Sequence, residues 1–437
     1  MTTKGLLDLF LRYQSVSTDT RKVKKGDMFF ALKGDRFNGN LFAAQALEAG
    51  ASHAIVDEAA VCVEGDARYL LVDNVLLALQ DLARAYRRTL DIPFLGITGS
   101  NGKTTTKELV YEVLSMHKNT FATKGNFNNH IGVPLTLLSI PAETEIAIIE
   151  MGANQAGDIK ELAEIAEPTH GLITNIGQAH LERFGSLDGV QKTKGELFDF
   201  LRASGGVLFV NLADERVVKA AAYEDTDISF GTAEADHQIE LLDHHLEGMS
   251  LRYTKAGAEP LSLDTQLSGG YNAMNILVAA MLGDYFGVPR SGIQKGIYGY
   301  QATNNRSEIV KKGDKTILLD AYNANPSSMR AAIQNIFSYP DKSVLLILGD
   351  MLEMGEEEAE IHAELGRFVN QFEPKHTIGV GPRMQSLVQE LAGAASWYVD
   401  TKSAQEGVQT HSNEVDMILI KGSRGMALEN LLDHISV

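Results

Sequence analysis

The chain has 437 residues, 44% of them hydrophobic and 22% charged, which is enough for about two to four domains with separate cores. A formal charge of −18 argues against a general nucleic-acid or anionic-membrane surface, because phosphates would be repelled. No segment approaches the roughly 18 apolar residues that cross a bilayer, and a single cysteine, Cys62, excludes an internal disulfide framework. We therefore expect a cytoplasmic protein that inserts into no membrane and holds anionic substrates through local donors.

The first segment, residues 1–92, combines short β-like runs with Gly- and Asn-rich turns. MFFAL at 28–32 and HAIV at 53–56 are the clearest of these runs. The stretch LLALQDLARAYRRTL predicts a helix, which must end before Pro93 because proline cannot continue a helix. We place the first domain boundary at this point.

The second and third segments, residues 93–303 and 304–437, alternate apolar strands with amphipathic helical stretches. The strands of the second segment are FLGIT, EIAIIEM, GLITNIG and GVLFVN, and those of the third are TILLDAY, SVLLILGD, HTIGVG and DMILIKGS. Such alternation is typical of a parallel sheet covered by helices. The sequence thus predicts three α/β domains, with ligands at the carboxyl ends of strands and between domains.

A strand, a Gly-rich turn and a helical stretch follow one another in FLGITGSNGKTTTKELV, residues 94–110. This order predicts a phosphate-binding loop, in which Lys103 reaches the β- and γ-phosphates and Thr104 binds Mg²⁺. The alternative is a Gly-rich turn with a solvated lysine. The first glycine is out of register with the common G-x-x-x-x-G-K-[ST] loop, because Ile97 stands where that loop has glycine.

The loop T-G-S-N-G-K-T resembles the ATP loop of the Mur ligase family, in which the first glycine lies three places before the second. The resemblance extends over nearly the whole chain. It implies an N-terminal UDP-sugar-binding α/β domain, a central P-loop ATPase-like parallel sheet and a C-terminal Rossmann-like domain. The residues that it places around ATP are Gly99, Ser100, Asn101, Gly102, Lys103, Thr104, Thr105, Asn272, Asn275, Arg306 and Asp320.

Candidate metal ligands follow the next two predicted strands. Glu150 ends the apolar run AIIEM, where an isolated carboxylate would be costly, so we expect it to bind a cation. The stretch TNIGQAHLERFGSLDGVQKTKGELF resembles the next family element, and this implies that His180 and a carbamylated Lys194 join Thr104 and Glu150 around Mg²⁺. Neighbouring Lys192 leaves the register of the carbamylated lysine open, and a plain surface lysine is the alternative.

Asparagine-rich stretches resemble further nucleotide and substrate elements of the family. GNFNNHIGVP implies that Asn128 and Asn129 present amides to substrate and phosphate, although a polar turn would read the same way. In LSGGYNAMNILVAA, Asn272 and Asn275 lie three residues apart on one helical face, where they could bond an adenine edge. Arg306 resembles the domain-junction arginine near the ATP phosphates.

The segment AYNANPSSM, residues 321–329, is the most specific match in the chain. Within the family it implies D-alanyl-D-alanine and UDP-N-acetylmuramoyl-tripeptide as substrates, with Asp320 near the ribose. The implied peptide contacts are Tyr322, Asn323 and Asn325. Ala321 departs from the family, since relatives often carry a second aspartate there.

The N-terminal segment STDTR, residues 17–21, resembles the UDP-sugar-binding domain of the same ligases. The resemblance implies that Thr18, Asp19 and Arg21 hold uracil and pyrophosphate. The basic residues that follow Arg21 could equally be a solvated face. Asn38 and Asn40 replace the D-G-H of relatives, which weakens the assignment of that loop.

The implied activity is an ATP-dependent amide ligase that forms an acyl phosphate, with Lys103, His180, Lys194 and Arg306 as catalytic residues. One alternative is another amide ligase of this fold, such as the tripeptide-making enzyme or a folylpolyglutamate synthase. A P-loop NTPase motor or kinase, and a non-catalytic binding protein, are the other candidates. We expect a monomer that binds no nucleic acid.

Overall fold

A computed structural model describes residues 1–178 and 181–436 of the protein, without the side chain of Leu181. Within these residues the strands form three larger sheets, one in each predicted segment, and a small two-stranded sheet. The described part of the chain contains no helix that is long and apolar enough to span a bilayer.

The first domain is a small parallel sheet with helices packed against it. In spatial order its strands are Val16–Ser17, Met28–Phe30, His53–Val56 and Tyr69–Leu71. Its α-helices are Thr3–Tyr13, Ala43–Glu48 and Val75–Arg87. The predicted strands at 28–32 and 53–56 and the predicted closing helix are all present.

The central domain is built on a mixed sheet. In spatial order its strands are Leu261–Thr265, Gly248–Lys255, His237–His245, Ile228–Phe230, Val207–Asn211, His170–Ile173, Phe94–Thr98, Ile146–Glu150 and Thr120–Ala122. Its α-helices are Lys103–Ser115, Gly132–Leu137, Asp158–Ala166, Leu181–Phe184, Leu187–Ser204, Glu215–Ala221, Ala273–Tyr285 and Arg290–Gly299.

One end of the central sheet adds antiparallel strands to the predicted parallel arrangement. The strands from Thr120–Ala122 to Ile228–Phe230 pair in parallel, as their crossover helices require. Beyond them, His237–His245 and its two successors pair antiparallel as a meander. Antiparallel strands need only short turns, so this arm carries no helix between its strands.

The third domain is a second α/β layer structure. In spatial order its strands are Glu308–Lys312, Lys315–Asp320, Met417–Lys421, Val344–Gly349, His376–Val380 and Ala395–Tyr398. Its α-helices are Pro326–Ile336, Glu358–Val369, Met384–Gln389 and Gln405–His411, and the chain continues into a 3-10 helix at Leu428–His434. The edge strand Glu308–Lys312 is antiparallel to its neighbour, and the other strands are parallel.

The apolar cores connect the first two domains more closely than they connect the third. One core runs without a break from Leu6 and Phe10 of the first domain to Phe94 and Val133 of the central domain. The third domain has cores of its own on the two faces of its sheet. The first two domains therefore share one buried apolar core, whereas the third keeps separate cores, with partly buried Leu246 of the central domain packed against one of them.

Candidate active site

Two glycines shape the loop between the strand Phe94–Thr98 and the helix Lys103–Ser115. Gly99 has φ +151°, and a Cβ on it would lie 1.9 Å from Oγ1 of Thr174. Gly102 has φ +79°, and a Cβ there would lie 2.7 Å from Oδ1 of Asn275. A side chain at either position would clash, so the three-residue spacing of these glycines follows from close contacts on both sides of the loop.

Residues after the strand His170–Ile173 hold this loop in place. The N–H of Ser100 donates to the Asn175 carbonyl oxygen at 2.9 Å, and the N–H of Asn101 donates to Asn175 Oδ1 at 3.0 Å. Thr174 Oγ1 donates to the Asn101 carbonyl oxygen at 2.6 Å. The helix after the loop begins without a side-chain cap, so its first N–H groups remain available to an anion.

Lys103 lies at the start of that helix with its ammonium folded over the loop. Its Nζ donates to the Gly99 carbonyl oxygen at 2.6 Å. Burial lowers the pKa of Lys103; the Glu150 carboxylate opposes this effect and the Arg306 charge adds to it. Lys103, Glu150 and Arg306 are thus close enough to interact electrostatically, as a site for phosphate and a cation requires.

Glu150 ends its strand with the side chain only 2% exposed. Its Oε1 accepts hydrogen bonds from Thr104 Oγ1 at 3.2 Å and from Asn128 Nδ2 at 2.8 Å. Its Oε2 accepts no hydrogen bond from the described residues, and the nearest cation is Lys107 Nζ at 3.6 Å. A buried carboxylate oxygen without a hydrogen-bond donor, next to a hydroxyl on a phosphate loop, fits a Mg²⁺ ligand set.

The described residues provide few further metal ligands beyond Thr104 and Glu150. No group of three or more His, Cys, Asp or Glu residues that could hold a metal exists in residues 1–178 and 181–436. Mg²⁺ commonly binds one or two protein oxygens and takes its other ligands from water and phosphate, so Thr104 and Glu150 suffice for the protein's share. His180 lies outside the described residues.

Lys194 lies in the middle of the helix Leu187–Ser204 and is 2% exposed. Burial lowers the pKa of Lys194 well below its usual range, and the charge of Lys103 lowers it further. Lys192 lies on the exposed face of the same helix. Burial thus separates the two candidate lysines that the sequence left open, because Lys194 is buried and feels the charge of Lys103, whereas Lys192 is exposed.

Asn128 and Asn129 follow the strand Thr120–Ala122 and line the cavity beside the loop. The amide of Asn128 is bonded to Glu150, and Asn129 Oδ1 accepts from the N–H of Gly132 at 2.8 Å. Both are predicted substrate residues. Asn128 contacts the candidate metal ligand and Asn129 contacts its own backbone turn, and their role toward substrate stays a prediction.

Asn272 and Asn275 lie against the phosphate loop. Asn275 Oδ1 accepts from Thr106 Oγ1 at 3.0 Å, and Asn275 Nδ2 donates to Asn272 Oδ1 at 2.9 Å. Asn272 Nδ2 donates to the Ser268 carbonyl oxygen, and Asn272 is 2% exposed. These bonds brace the loop helix, and both side chains also line the cavity. Their contact with adenine stays a prediction.

The third domain presents Arg306, Tyr322 and Lys421 to the same cavity. The Arg306 guanidinium lies 3.5 Å from the centre of the Tyr322 ring. Lys421 is 2% exposed; its Nζ lies 2.5 Å from Asp320 Oδ2 and 3.1 Å from the Asn323 carbonyl oxygen. Asp320, the predicted ribose acid, is therefore held by a buried lysine.

A cavity of about 740 Å³ lies between the central and third domains. Its walls are the phosphate loop, the Asn128 segment, the helix after Asn272 and the Asp320–Ser328 segment of the third domain. The predicted nucleotide residues Ser100 to Thr105 line it, as do the predicted peptide residues Tyr322, Asn323 and Asn325. The fold thus brings most of the predicted site into one space.

The predicted uridine residues are not part of that cavity. Arg21 forms a bidentate ion pair with Asp19, and its side chain is 85% exposed. Asp19 also caps the short helix Thr20–Lys22, and the bonds from Arg21 hold the pKa of Asp19 at about 2. Thr18, Asp19 and Arg21 thus lie apart from the cavity on the first domain, with Thr18 and Asp19 half-buried and Arg21 exposed.

The sequence analysis missed two lysines of the site, Lys107 and Lys421. Lys107 is 3% exposed and lies next to the unpartnered oxygen of Glu150. The lysine that follows G-K-T-T-T was a visible signal, because a second lysine one turn after the loop lysine faces the same side. Lys421 ends a strand beside Asp320, and only the sheet order brings the two together.

A phosphate loop with a buried magnesium-type carboxylate, closed over by a second α/β domain, defines a P-loop nucleotide-dependent enzyme. Three family models match the chain: "Mur ligase family, catalytic domain" at residues 12–87, "Mur ligase middle domain" at 97–283, and "Mur ligase, glutamate ligase domain" at 305–424. The chain belongs to the Mur ligase family.

Individual relatives match over nearly their full length. A UDP-N-acetylmuramoyl-tripeptide–D-alanyl-D-alanine ligase of Bacillus subtilis (strain 168) is 37% identical, covering 95% of this chain and 92% of the relative. The crystal structure of MurF from Acinetobacter baumannii superposes with a TM-score of 0.88 at 30% identity, covering 97% and 93%. MurF from Thermotoga maritima in complex with ADP gives 0.87 at 25% identity, covering 98% of both chains.

Proposed function

We propose that this protein is an ATP-dependent ligase that joins D-alanyl-D-alanine to UDP-N-acetylmuramoyl-tripeptide. The names of the similar proteins support these substrates. The observation that carries the proposal is the shared cavity, in which the phosphate loop faces the Tyr322–Asn325 segment of another domain. An enzyme that must activate one substrate with ATP and then admit a second needs such a space.

The chemistry explains why ATP is required. A carboxylate is a poor electrophile, because an oxide ion does not leave from carbon. Attack of the peptide carboxylate on the γ-phosphorus releases ADP and forms an acyl phosphate. The amine of the dipeptide then attacks the carbonyl carbon, phosphate leaves and the nitrogen loses a proton. The protein supplies placement and charge neutralisation.

The charged residues of the cavity have separate roles in this reaction. Lys103 and the helix N-terminus behind it neutralise the transferred phosphate, and Arg306 adds positive charge from the third domain. Thr104 and Glu150 would hold Mg²⁺, which neutralises phosphate oxygens when bound, and we extend this set to His180. Docking of the third domain excludes water, which would otherwise hydrolyse the acyl phosphate.

Lys194 is proposed to carry a carbamate. Carbamylation requires the neutral amine, because its lone pair attacks CO₂ and the nitrogen then loses a proton. Burial and the charge of Lys103 lower the pKa of Lys194, so the neutral form is favoured at this position. The product is an anion beside a cation-rich site. Lys194→Ala should be nearly inactive and partly rescued by short-chain carboxylic acids, whereas exposed Lys192→Ala should behave like the parent.

The first domain is proposed to bind the UDP-sugar part of the acceptor through Thr18, Asp19 and Arg21. The exposed Arg21 guanidinium supports this role, since it can exchange its pairing with Asp19 for pyrophosphate oxygens. Arg21→Ala should raise the KM for the UDP-peptide and leave that for ATP unchanged. We also propose that the enzyme is a cytoplasmic monomer, which light scattering and cell fractionation would test.

A coupled ADP-release assay over a panel of substrates tests the function. Turnover should require both a UDP-N-acetylmuramoyl-tripeptide and D-alanyl-D-alanine. ADP release without the peptide would favour an NTPase or kinase, and turnover with an amino acid in place of the dipeptide would favour another ligase of this fold. Peptides ending in diaminopimelate and in lysine should both be included to define the third residue.

A further inference from the structure

A side chain of the phosphate loop is bonded directly to the third domain. Asn101 Nδ2 donates to Ser327 Oγ at 2.9 Å, and Asn101 Oδ1 accepts from Asn325 Nδ2 at 2.7 Å. Ser327 Oγ in turn donates to Asn325 Oδ1 at 3.0 Å. The three side chains close a ring of hydrogen bonds between residues that are more than 220 positions apart in the chain.

The third-domain half of this ring has a fixed geometry. Asn325 is the N-cap of the helix Pro326–Ile336, and its Oδ1 accepts from the N–H of Ser328 at 2.9 Å. The N–H of Asn325 donates to Ser328 Oγ at 3.1 Å, which completes a capping box. The cap orients the amide of Asn325, so its remaining N–H₂ group points at Asn101.

The loop half is equally constrained. The N–H and carbonyl oxygen of Asn101 are both bonded to Asn175, and its carbonyl oxygen also accepts from Thr174. Asn101 is therefore fixed on its backbone side by the central domain and on its side-chain side by the third. Gly102 and Lys103, which begin the anion-binding turn, follow directly.

We propose that Asn325 and Ser327 are positioning residues of the ATP site, acting through Asn101. They hold the phosphate loop in the conformation that presents its helix N-terminus, and this occurs only when the third domain is docked. The proposal rests on the ligase function and deepens it, because it links ATP binding to formation of the cavity for the second substrate. By linkage, ATP favours docking as much as docking favours ATP.

The other side-chain hydrogen bonds across this domain boundary, within residues 1–178 and 181–436, do not involve the loop. Tyr271 is bonded to Ser307 at 2.7 Å and Ser268 to Tyr339 at 3.1 Å, both away from the phosphate-binding turn. Among the described residues, the side-chain hydrogen bonds from the loop to the third domain run through Asn101. The ring is therefore a specific point at which docking reaches the nucleotide site.

The test uses the full-length protein and calorimetric titration with a non-hydrolysable ATP analogue in the presence of Mg²⁺. Ser327→Ala removes one bond of the ring and keeps the Asn325 cap, and Asn101→Ala removes the loop side. Each should weaken analogue binding about three- to tenfold, the value of one or two hydrogen bonds. The double variant should have about the same affinity for the analogue as the single variant that binds it less tightly, because both substitutions act through one ring.

Ser343→Ala is the matched control. It removes a hydroxyl that donates to Asp416 Oδ2 at 2.7 Å within the third domain, outside the cavity, and should lower the melting temperature while leaving analogue affinity unchanged. Unchanged affinity in Ser327→Ala, additive losses in the double variant, or an equal loss in Ser343→Ala would each overturn the proposal. The titration contains no peptide, so its result is independent of which substrates the ligase assay identifies.

Discussion

The two domain junctions of this molecule differ in their chemistry, because one is apolar and the other is polar. The helix Val75–Arg87 brings the first domain onto the central domain through a continuous apolar core and through buried bonds such as that from Tyr86 Oη to the Ile140 carbonyl oxygen. The third domain meets the central domain across a polar cavity of about 740 Å³, bridged by side-chain hydrogen bonds. Apolar packing fixes a junction, whereas exchangeable polar contacts allow it to open and close.

The difference matches the chemistry expected at each place. The first two domains must keep a long acceptor substrate aligned with the phosphate loop, which requires a fixed distance. The third domain must admit ATP and a second substrate and then exclude water, which requires movement. We expect substitutions at the first junction to change stability and substitutions at the second to change binding and turnover.

The largest effect is expected at the second junction, for Lys103→Ala. Loss of the ammonium beside the transferred phosphate should lower kcat about 10²-fold or more, the scale of one removed charge stabiliser. The melting temperature should stay close to that of the parent, because the described hydrogen bonds of the Lys103 ammonium go to the carbonyl oxygens of Gly99 and Ser100 within the loop itself. Steady-state kinetics with Lys192→Ala as the control measures this, and near-normal turnover would remove Lys103 from the site.

At the first junction, Arg87→Met should lower the free energy of unfolding by about 2 kcal/mol, because it leaves buried carbonyl oxygens without a donor. Arg87 is 8% exposed and donates to the carbonyl oxygens of Ala166 and Glu167. Arg88→Met is the control, since its ion pair with Glu167 is exposed and worth less than about 1 kcal/mol. Urea unfolding should rank the two in this order, and equal losses would contradict a fixed first junction.

Binding of the dipeptide should depend on closure of the second junction. Calorimetry should give D-alanyl-D-alanine an affinity at least about tenfold higher with UDP-tripeptide and an ATP analogue present, a coupling of about 1.4 kcal/mol. The physical reason is that one wall of the cavity belongs to the third domain. Equal affinities for the apo and loaded enzyme would indicate a preformed pocket.

The smallest effect concerns the pH dependence of third-domain stability, through His376. Burial and the adjacent His411 lower the pKa of His376 to about 4 from the usual 6.5. The unfolded chain binds a proton that the folded one rejects, so this contribution to stability is present above about pH 6.5 and is lost as the pH falls toward 4. Unfolding of the third domain should show this dependence, His376→Gln should remove it, and an unchanged profile in that variant would refute it.

The sequence predicted elements whose pattern is local. FLGIT became the strand Phe94–Thr98 because a continuous apolar run between helices is typical of a buried parallel strand. The arm that begins with His237–His245 was missed because HQIELLDHH is largely exposed and shows no apolar alternation. This segment is a strand because it pairs with Gly248–Lys255, which its own composition does not indicate.

The same distinction between local patterns and long-range contacts applies to the site. Lys103, Thr104 and Glu150 follow strands, and the shared edge of a parallel sheet brings them together as predicted. Asn325 lines the cavity, and its predicted contact with substrate stays a prediction. What the sequence did not predict is that its amide also caps a helix and bonds to Asn101, more than 220 residues away. No local pattern contains such a pairing, because it depends on how two domains dock. The roles of His180 and of the carbamate on Lys194 stay predictions.

The cavity between the central and third domains also has a kinetic consequence for inhibitors. A molecule that contacts both the phosphate loop and the Tyr322–Asn325 segment would be enclosed by surfaces from two domains. It could leave only when those surfaces separate, so its residence time would be set by the rate of domain opening and not by its contacts alone. Compounds that span this cavity should therefore show slow onset and slow recovery, while those confined to the nucleotide loop should exchange rapidly.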